Sequence, residues 1–336
     1  MFKQVLAAGL LAGTTATAAF AQQKEIRISF WVPPTHAVVA AFNDWGKSLG
    51  DATDGTVKVT LFPAEQLGKA VDQYDMARDG IAEMTMVAPA YNSGQFPIFL
   101  LDEVPFIFSN STKGVRALHE WYANYADIEM PDVKLCTMTM HHPATLHMKS
   151  APVKVPAEMN GKKLRVAGTT SVAYVTGQGA TTVQAALPEV RELVERGVVD
   201  GITFPWDLTV INSKDTIKYH VDLPIYVGTQ AFVMNKAFYD GLDEKQKAAV
   251  DAHCSPEWSE KLSTPWAERE LKAKAALMAD PSHTVYAPTE EETKLWIAAA
   301  DQIREKAVAA VSRYNLDGNK LLQELKDKLA QVGAGF

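Results

Sequence analysis

The residues most able to do chemistry are eight histidines, two cysteines and a strand arginine, and their spacing argues against catalysis. There is no Gly-x-Ser-x-Gly elbow, no phosphate loop ending Gly-Lys-Ser/Thr and no Cys-x-x-Cys pair. Gly177-Gln-Gly179 is followed by Ala-Thr-Thr, so a dinucleotide fingerprint fails at its third glycine. His119-Glu120 begins like a zinc helix, but Ala123 stands where the second ligand would be needed. His141, His142 and His147 are the remaining metal candidates. Adjacent residues on a strand face opposite ways, which favours structural or solvent-facing roles for them. Cys136 reads as a small core residue on an apolar strand; a Cys136–Cys254 disulfide is allowed in an oxidising compartment, but sequence does not decide it. Neither a cofactor nor a metal is expected, and an exported enzyme is disfavoured.

Composition narrows the class further. The chain has 336 residues, 47% of them apolar and 22% charged, enough for a sizeable core in two lobes or one large domain. A net charge of −7 argues against a nucleic-acid partner. Residues 1–21 read as an export signal: Lys3 is followed by an apolar Val5–Phe20 stretch, and Ala19-Phe20-Ala21 gives a small-x-small site with cleavage after Ala21. Removing that segment, whose only charge is Lys3, takes the net charge to −8. No later segment is apolar for long enough to span a bilayer, so the mature protein is expected in the periplasm.

The elements that must position any site alternate between strand and helix. Strand patterns at 26–32, 57–62 and 83–87 enclose helical ones at 37–49 and 68–78. This βαβαβ run predicts an α/β layer with a mainly parallel sheet, whose ligands bind beyond the carboxyl ends of the strands. The segments Trp31–His36, Phe62–Leu67 and Ala88–Tyr91 are therefore candidate site loops. A second cycle has strands at 133–140, 164–167, 198–204 and 230–235. A helix opens at Leu187-Pro188-Glu189 and stops at Gly197, and long helical patterns run over 243–278 and 290–314.

Four motifs in order resemble the DctP-type solute-binding proteins of TRAP (tripartite ATP-independent periplasmic) transporters. Phe62-Pro63-Ala64-Glu65-Gln66-Leu67-Gly68 is similar to the family's F-P-x-x-Q-L-G element, and Pro105-Phe106-Ile107-Phe108 to its P-F-x-F segment. Asn160-Gly161-Lys162-Lys163-Leu164-Arg165-Val166 resembles the G-x-K-h-R-h strand, and Pro188-Glu189 through Asp200-Gly201 the helix and turn before the ligand-contacting strand. The resemblance runs from about residue 25 to 315. It implies an α/β, two-lobe periplasmic binding fold with a cleft between the lobes and a long lobe-spanning helix. The expected division is 22–142 plus 231–270 in lobe I, and 143–230 plus 271–336 in lobe II. It also implies a monomer that captures an organic acid and hands it to large and small permease subunits; a sensor kinase is the alternative partner.

The site implied by the resemblance centres on Arg165, whose planar fork suits a carboxylate. An arginine paired with a structural acid is the bland alternative. Members that take sugar acids carry polar residues where this chain has Trp31, Ala88 and Phe204. A second family arginine corresponds to Thr145, and Leu187 replaces a frequent aromatic. Trp206 and Tyr91 are further ring candidates, and His36 a pocket-edge residue. The expected ligand is thus a hydrophobic or aromatic monocarboxylate, such as an aryl or branched 2-oxo acid. A small polar or aliphatic hydroxy or oxo acid is the alternative, and the rings could instead be core filler.

Overall fold

The computed structural model describes residues 23–92 and 94–336, so the expected signal segment and its cleavage site lie outside the described residues. Among the described residues, eleven strands form two sheets. In chain order they are β1 (Lys24–Ser29), β2 (Val57–Phe62), β3 (Met84–Val87), β4 (Val133–Met140), β5 (Thr145–Met148), β6 (Lys163–Val166), β7 (Thr181–Gln184), β8 (Gly201–Phe204), β9 (Tyr219–Val221), β10 (Thr229–Asn235) and β11 (Thr284–Tyr286). The first sheet has the order β2-β1-β3-β10-β4 and the second β11-β9-β5-β8-β6-β7. The expected βαβαβ unit is present, with β1 parallel to both β2 and β3. Each sheet also contains an antiparallel strand, β10 in the first and β5 in the second, because the chain crosses between lobes before entering each one.

This topology creates two facing switch points. In the first sheet β1 lies between β2 and β3; in the second β6 lies between β7 and β8. Successive connections leave such a strand in opposite directions, which opens a crevice at its carboxyl end. Trp31 follows β1, Ala88 follows β3, Arg165 is on β6 and Phe204 ends β8. The crevices of the two lobes therefore hold the candidate residues from opposite sides.

The helix Pro256–Ala279 joins the lobes. Its 24 residues span about 36 Å at the usual helical rise. Strand β4 lies at the edge of its sheet, and its outward N–H groups at Met138 and Met140 donate to Ser259 Oγ (2.8 Å) and Ser263 Oγ (3.2 Å) on this helix. Two strand residues and four helical residues advance by nearly the same distance, about 6–7 Å, so serines four apart cover alternate edge groups. Cys136 extends the same seam through a disulfide to Cys254. Cys136 is the buried core residue expected, and the disulfide that sequence left open is formed: the strand edge faces the start of the spanning helix, a proximity invisible across 118 residues of sequence. Farther along, Glu270 Oε2 accepts the backbone N–H of Trp206 (2.6 Å) and Asp207 (3.2 Å), tying the helix to the second lobe.

The expected boundary fails at the carboxyl terminus. The helix Gly318–Gln331 packs with the first lobe, where Leu321, Leu325 and Leu329 share a core with Leu118 and Trp121. Ser109 N–H donates to Ala334 O at 2.9 Å, and Phe106 meets Phe336 at 5.4 Å between ring centroids. The Pro105–Phe108 motif thus docks the returning end of the chain. The Phe62–Gly68 motif is a turn: Ala64 N–H donates to Val32 O and Glu65 N–H to Phe30 O, fastening β2 to the exit of β1.

Candidate functional site

Between the lobes lies a cavity walled by Trp31, Tyr91, Arg165, Leu187, Phe204 and Trp266 among others. Trp31 is set by its indole N–H, which donates to Met86 O at 2.9 Å, and its ring meets Tyr91 edge-on at 5.3 Å. Tyr91 comes from the short 3₁₀ turn after β3, and its hydroxyl accepts the Leu187 N–H at 3.1 Å. That bond links the first lobe to the start of the helix Leu187–Glu195 in the second.

Arg165 is 1% exposed. Its Nε and Nη2 donate to Ala185 O (3.0 and 2.5 Å), and Nη1 donates to Thr203 O (3.2 Å). A guanidinium has five N–H groups. These three bonds leave one on each terminal nitrogen, and a further side-chain hydrogen bond joins the guanidinium to the Tyr91 hydroxyl. Beneath it the Phe204 ring lies 5.0 Å from the guanidinium carbon, a cation–π contact that fixes the plane of the fork. The cation is held by neutral partners, so its charge stays available to an anion. Burial pushes the Tyr91 hydroxyl up in pKa while Arg165 nearby draws it down, so that hydroxyl remains protonated.

Other cavity groups escaped the sequence reading. His141 lines the wall, and its Nδ1 contacts His142 O at 2.7 Å; with the proton on Nδ1, Nε2 is left as an acceptor. Burial pushes this ring down to about 4, so it is neutral. Glu103, Tyr226, Gln230 and Trp266 also line the cavity. The Asp102-Glu103 pair inside the apolar run Phe96–Phe108 was a legible signal, because adjacent acids rarely sit in such a run without purpose. Trp266 carried no such mark.

The other predicted residues divide between the cavity wall and positions behind it. Ala88 and Leu187 line the cavity as small and branched apolar walls. Trp206 does not line it: Pro205 precedes the helix Trp206–Ser213, which swings the indole back against His147 (5.0 Å) and beneath Lys274 (5.5 Å). Thr145, on β5, lines a separate small space behind Tyr226 and Glu103. His36 lies one layer behind the wall. Its Nδ1 accepts the Val38 N–H at 3.3 Å, capping the helix Ala37–Ala52, and its ring meets Trp266 at 4.6 Å. It also borders an outer groove with Trp31 and Leu187.

An interlobe cavity with the buried Arg165 cation on its wall is suited to hold an anion. The family model described as "Bacterial extracellular solute-binding protein, family 7" (DctP) matches residues 28–310. The chain belongs to this family. The 2,3-diketo-L-gulonate-binding periplasmic protein of Escherichia coli is 27% identical over 258 residues, 73% of this chain and 75% of that protein. A TRAP solute-binding protein from Bordetella bronchiseptica, solved with bound (R)- and (S)-mandelate, is 25% identical with a TM-score of 0.86, covering 92% of this chain and 99% of that one. One from Rhodoferax ferrireducens, solved with copurified benzoate, has a TM-score of 0.86 at 23% identity, covering 92% and 98%, a likeness of fold. This DctP-family chain is therefore a TRAP solute-binding protein with the two-lobe fold, and not an enzyme. Such proteins are extracytoplasmic, bind small organic acids and work with membrane permease subunits. Among the described residues no helix is long and apolar enough to cross a membrane.

Proposed function

We propose that this protein captures a hydrophobic or aromatic monocarboxylate, such as an aryl or branched 2-oxo acid, by closing its lobes around a carboxylate–Arg165 salt bridge. The carrying observation is the buried Arg165 guanidinium, held by neutral partners with no ion pair among the described residues, on the wall of a cavity that also carries Trp31, Phe204 and Leu187. Its planar fork suits one carboxylate with charge-assisted hydrogen bonds. Trp31, Phe204 and Tyr91 offer ring faces and edges to a flat ligand, and buried aromatics each supply about 150–250 Å² of contact. The mandelate held by the Bordetella relative and the benzoate held by the Rhodoferax protein support an aromatic acid, whereas the sugar-derived ligand of the Escherichia relative favours a polar one. Trp31, Ala88 and Leu187 offer no hydrogen-bonding side chain to sugar hydroxyls apart from an indole N–H already used, which favours the aromatic class.

Closure follows from the same contacts. In an open form the Tyr91–Leu187 bond would be broken; a ligand that touches both walls stabilises the closed form by its differential affinity. A thermal-shift screen of aryl, branched 2-oxo, sugar and dicarboxylic acids tests the reading. Aryl or branched acids are expected to give the largest stabilisation, about 2.7 kcal/mol at a hundred times the dissociation constant. Stabilisation by uronic or dicarboxylic acids alone would refute it.

A further inference from the structure

Glu103 is a buried polar group of the cavity that the carboxylate-binding reading leaves unused. It ends the 3₁₀ turn Phe99–Glu103, is 3% exposed, and its Oε2 has no hydrogen-bond partner among the described residues. It stands in the wall between the main cavity and the smaller apolar space behind, together with Tyr226. An unpaired carboxylate there would be costly to desolvate, and burial beside Asp102 pushes its pKa well above the usual carboxylate range. Glu103 is then a neutral acid with an O–H to donate and a carbonyl to accept.

Glu103 and Arg165 line the same cavity without an ion pair between them: Glu103 also borders the smaller space behind, which Arg165 does not line. The cavity thus has a cationic part at Arg165 and a separate hydrogen-bonding part at Glu103. We propose that Glu103 hydrogen-bonds an uncharged hydroxyl or oxo oxygen at the end of the ligand remote from its carboxylate, making a ring-oxygenated aryl acid the preferred cargo. This rests on the reading that Arg165 holds the carboxylate. It goes beyond that reading by assigning the distal end of the ligand a polarity.

Calorimetric titration of the wild type, Glu103→Gln and Glu103→Leu with phenylacetate, 3- and 4-hydroxyphenylacetate, mandelate and 4-(aminomethyl)phenylacetate tests it. At least one hydroxyphenylacetate should bind the wild type about tenfold more tightly than phenylacetate, the scale of one buried hydrogen bond. Glu103→Leu should abolish that ratio while still binding phenylacetate; Glu103→Gln, whose amide both donates and accepts, should keep most of it. Melting temperatures check that each variant is folded, and the wild-type ratio is informative even if one variant is not. Equal wild-type affinity for phenylacetate and both hydroxyphenylacetates would overturn the proposal, as would a ratio that survives Glu103→Leu. Tightest binding of the aminomethyl acid would show an ionised Glu103 and overturn it too. So would a gain confined to mandelate, whose hydroxyl adjoins the carboxylate. Failure of the underlying reading looks different: Arg165→Ala would then bind phenylacetate as the wild type does.

Discussion

Gly168 offers a way to perturb closure without touching the ligand. It follows β6 in the second lobe, and a Cβ built there would stand 2.7 Å from Ala90 O and 2.8 Å from Ala90 Cβ in the first lobe. Its own backbone is extended, with φ −146° and ψ −178°, so alanine is locally unstrained. The penalty of Gly168→Ala therefore arises only when the lobes are together. Overpacking against backbone costs about 1–3 kcal/mol, and the closed form alone is destabilised by that amount. If ligand binding requires closure, the dissociation constant should rise about 5- to 150-fold. Calorimetry with an aryl acid measures this, and small-angle scattering should show the liganded variant remaining more extended than the liganded wild type. A variant that binds and compacts like the wild type would refute the claim that this contact belongs to the ligand-bound form.

Trp31→Ala should weaken aromatic acids more than short aliphatic ones, because the lost ring area matters only to a ligand that reaches it; equal losses in calorimetry would exclude the ring contact. Cys136→Ser/Cys254→Ser should lower stability by at most about 4–5 kcal/mol, the chain-entropy scale for a loop this long, measured by denaturant unfolding; no loss at all would mean the Ser259 and Ser263 seam suffices. His147 sits in a buried chain of rings, contacting Phe204 O (2.9 Å) through Nε2 and His220 through Nδ1 (2.8 Å), while His220 Nε2 meets His283 Nδ1 (3.0 Å). With His147 neutral and donating to Phe204 O, its Nδ1 accepts from His220 Nδ1–H. Burial depresses His147 to about 4, so the folded state binds fewer protons than the unfolded one between about pH 4 and 6.5, and this contribution is lost as pH falls through that window. The stability cost of His147→Gln should accordingly shrink by about 2 kcal/mol from pH 7 to pH 5; a pH-independent cost would contradict a depressed ring.

Most strands and helices were legible because their apolar spacing and stops are local, but the short strands Thr145–Met148, Thr181–Gln184, Tyr219–Val221 and Thr284–Tyr286 were not. Val57–Phe62 and Val133–Met140 match their predicted bounds, and Gly197 has the expected left-handed backbone, with φ 69°. What stayed hidden depends on long-range partners. The return of Gly318–Gln331 to the first lobe leaves only an amphipathic pattern, which does not say which surface it covers. Trp206 and Phe204 looked alike in sequence, two residues apart; a strand end at Phe204 and a helix start at Trp206 send their rings to different places. Glu103 and His141 were readable as polar residues in apolar surroundings, but their place in the cavity needed the fold.

The central claim concerns which group receives the ligand's carboxylate, and a crystal structure of the protein with a bound aryl acid tests it most directly. The account predicts both carboxylate oxygens within hydrogen-bond distance of the Arg165 guanidinium, with the ring between Trp31 and Phe204. A carboxylate seated on another partner, with that guanidinium facing only water, would contradict it.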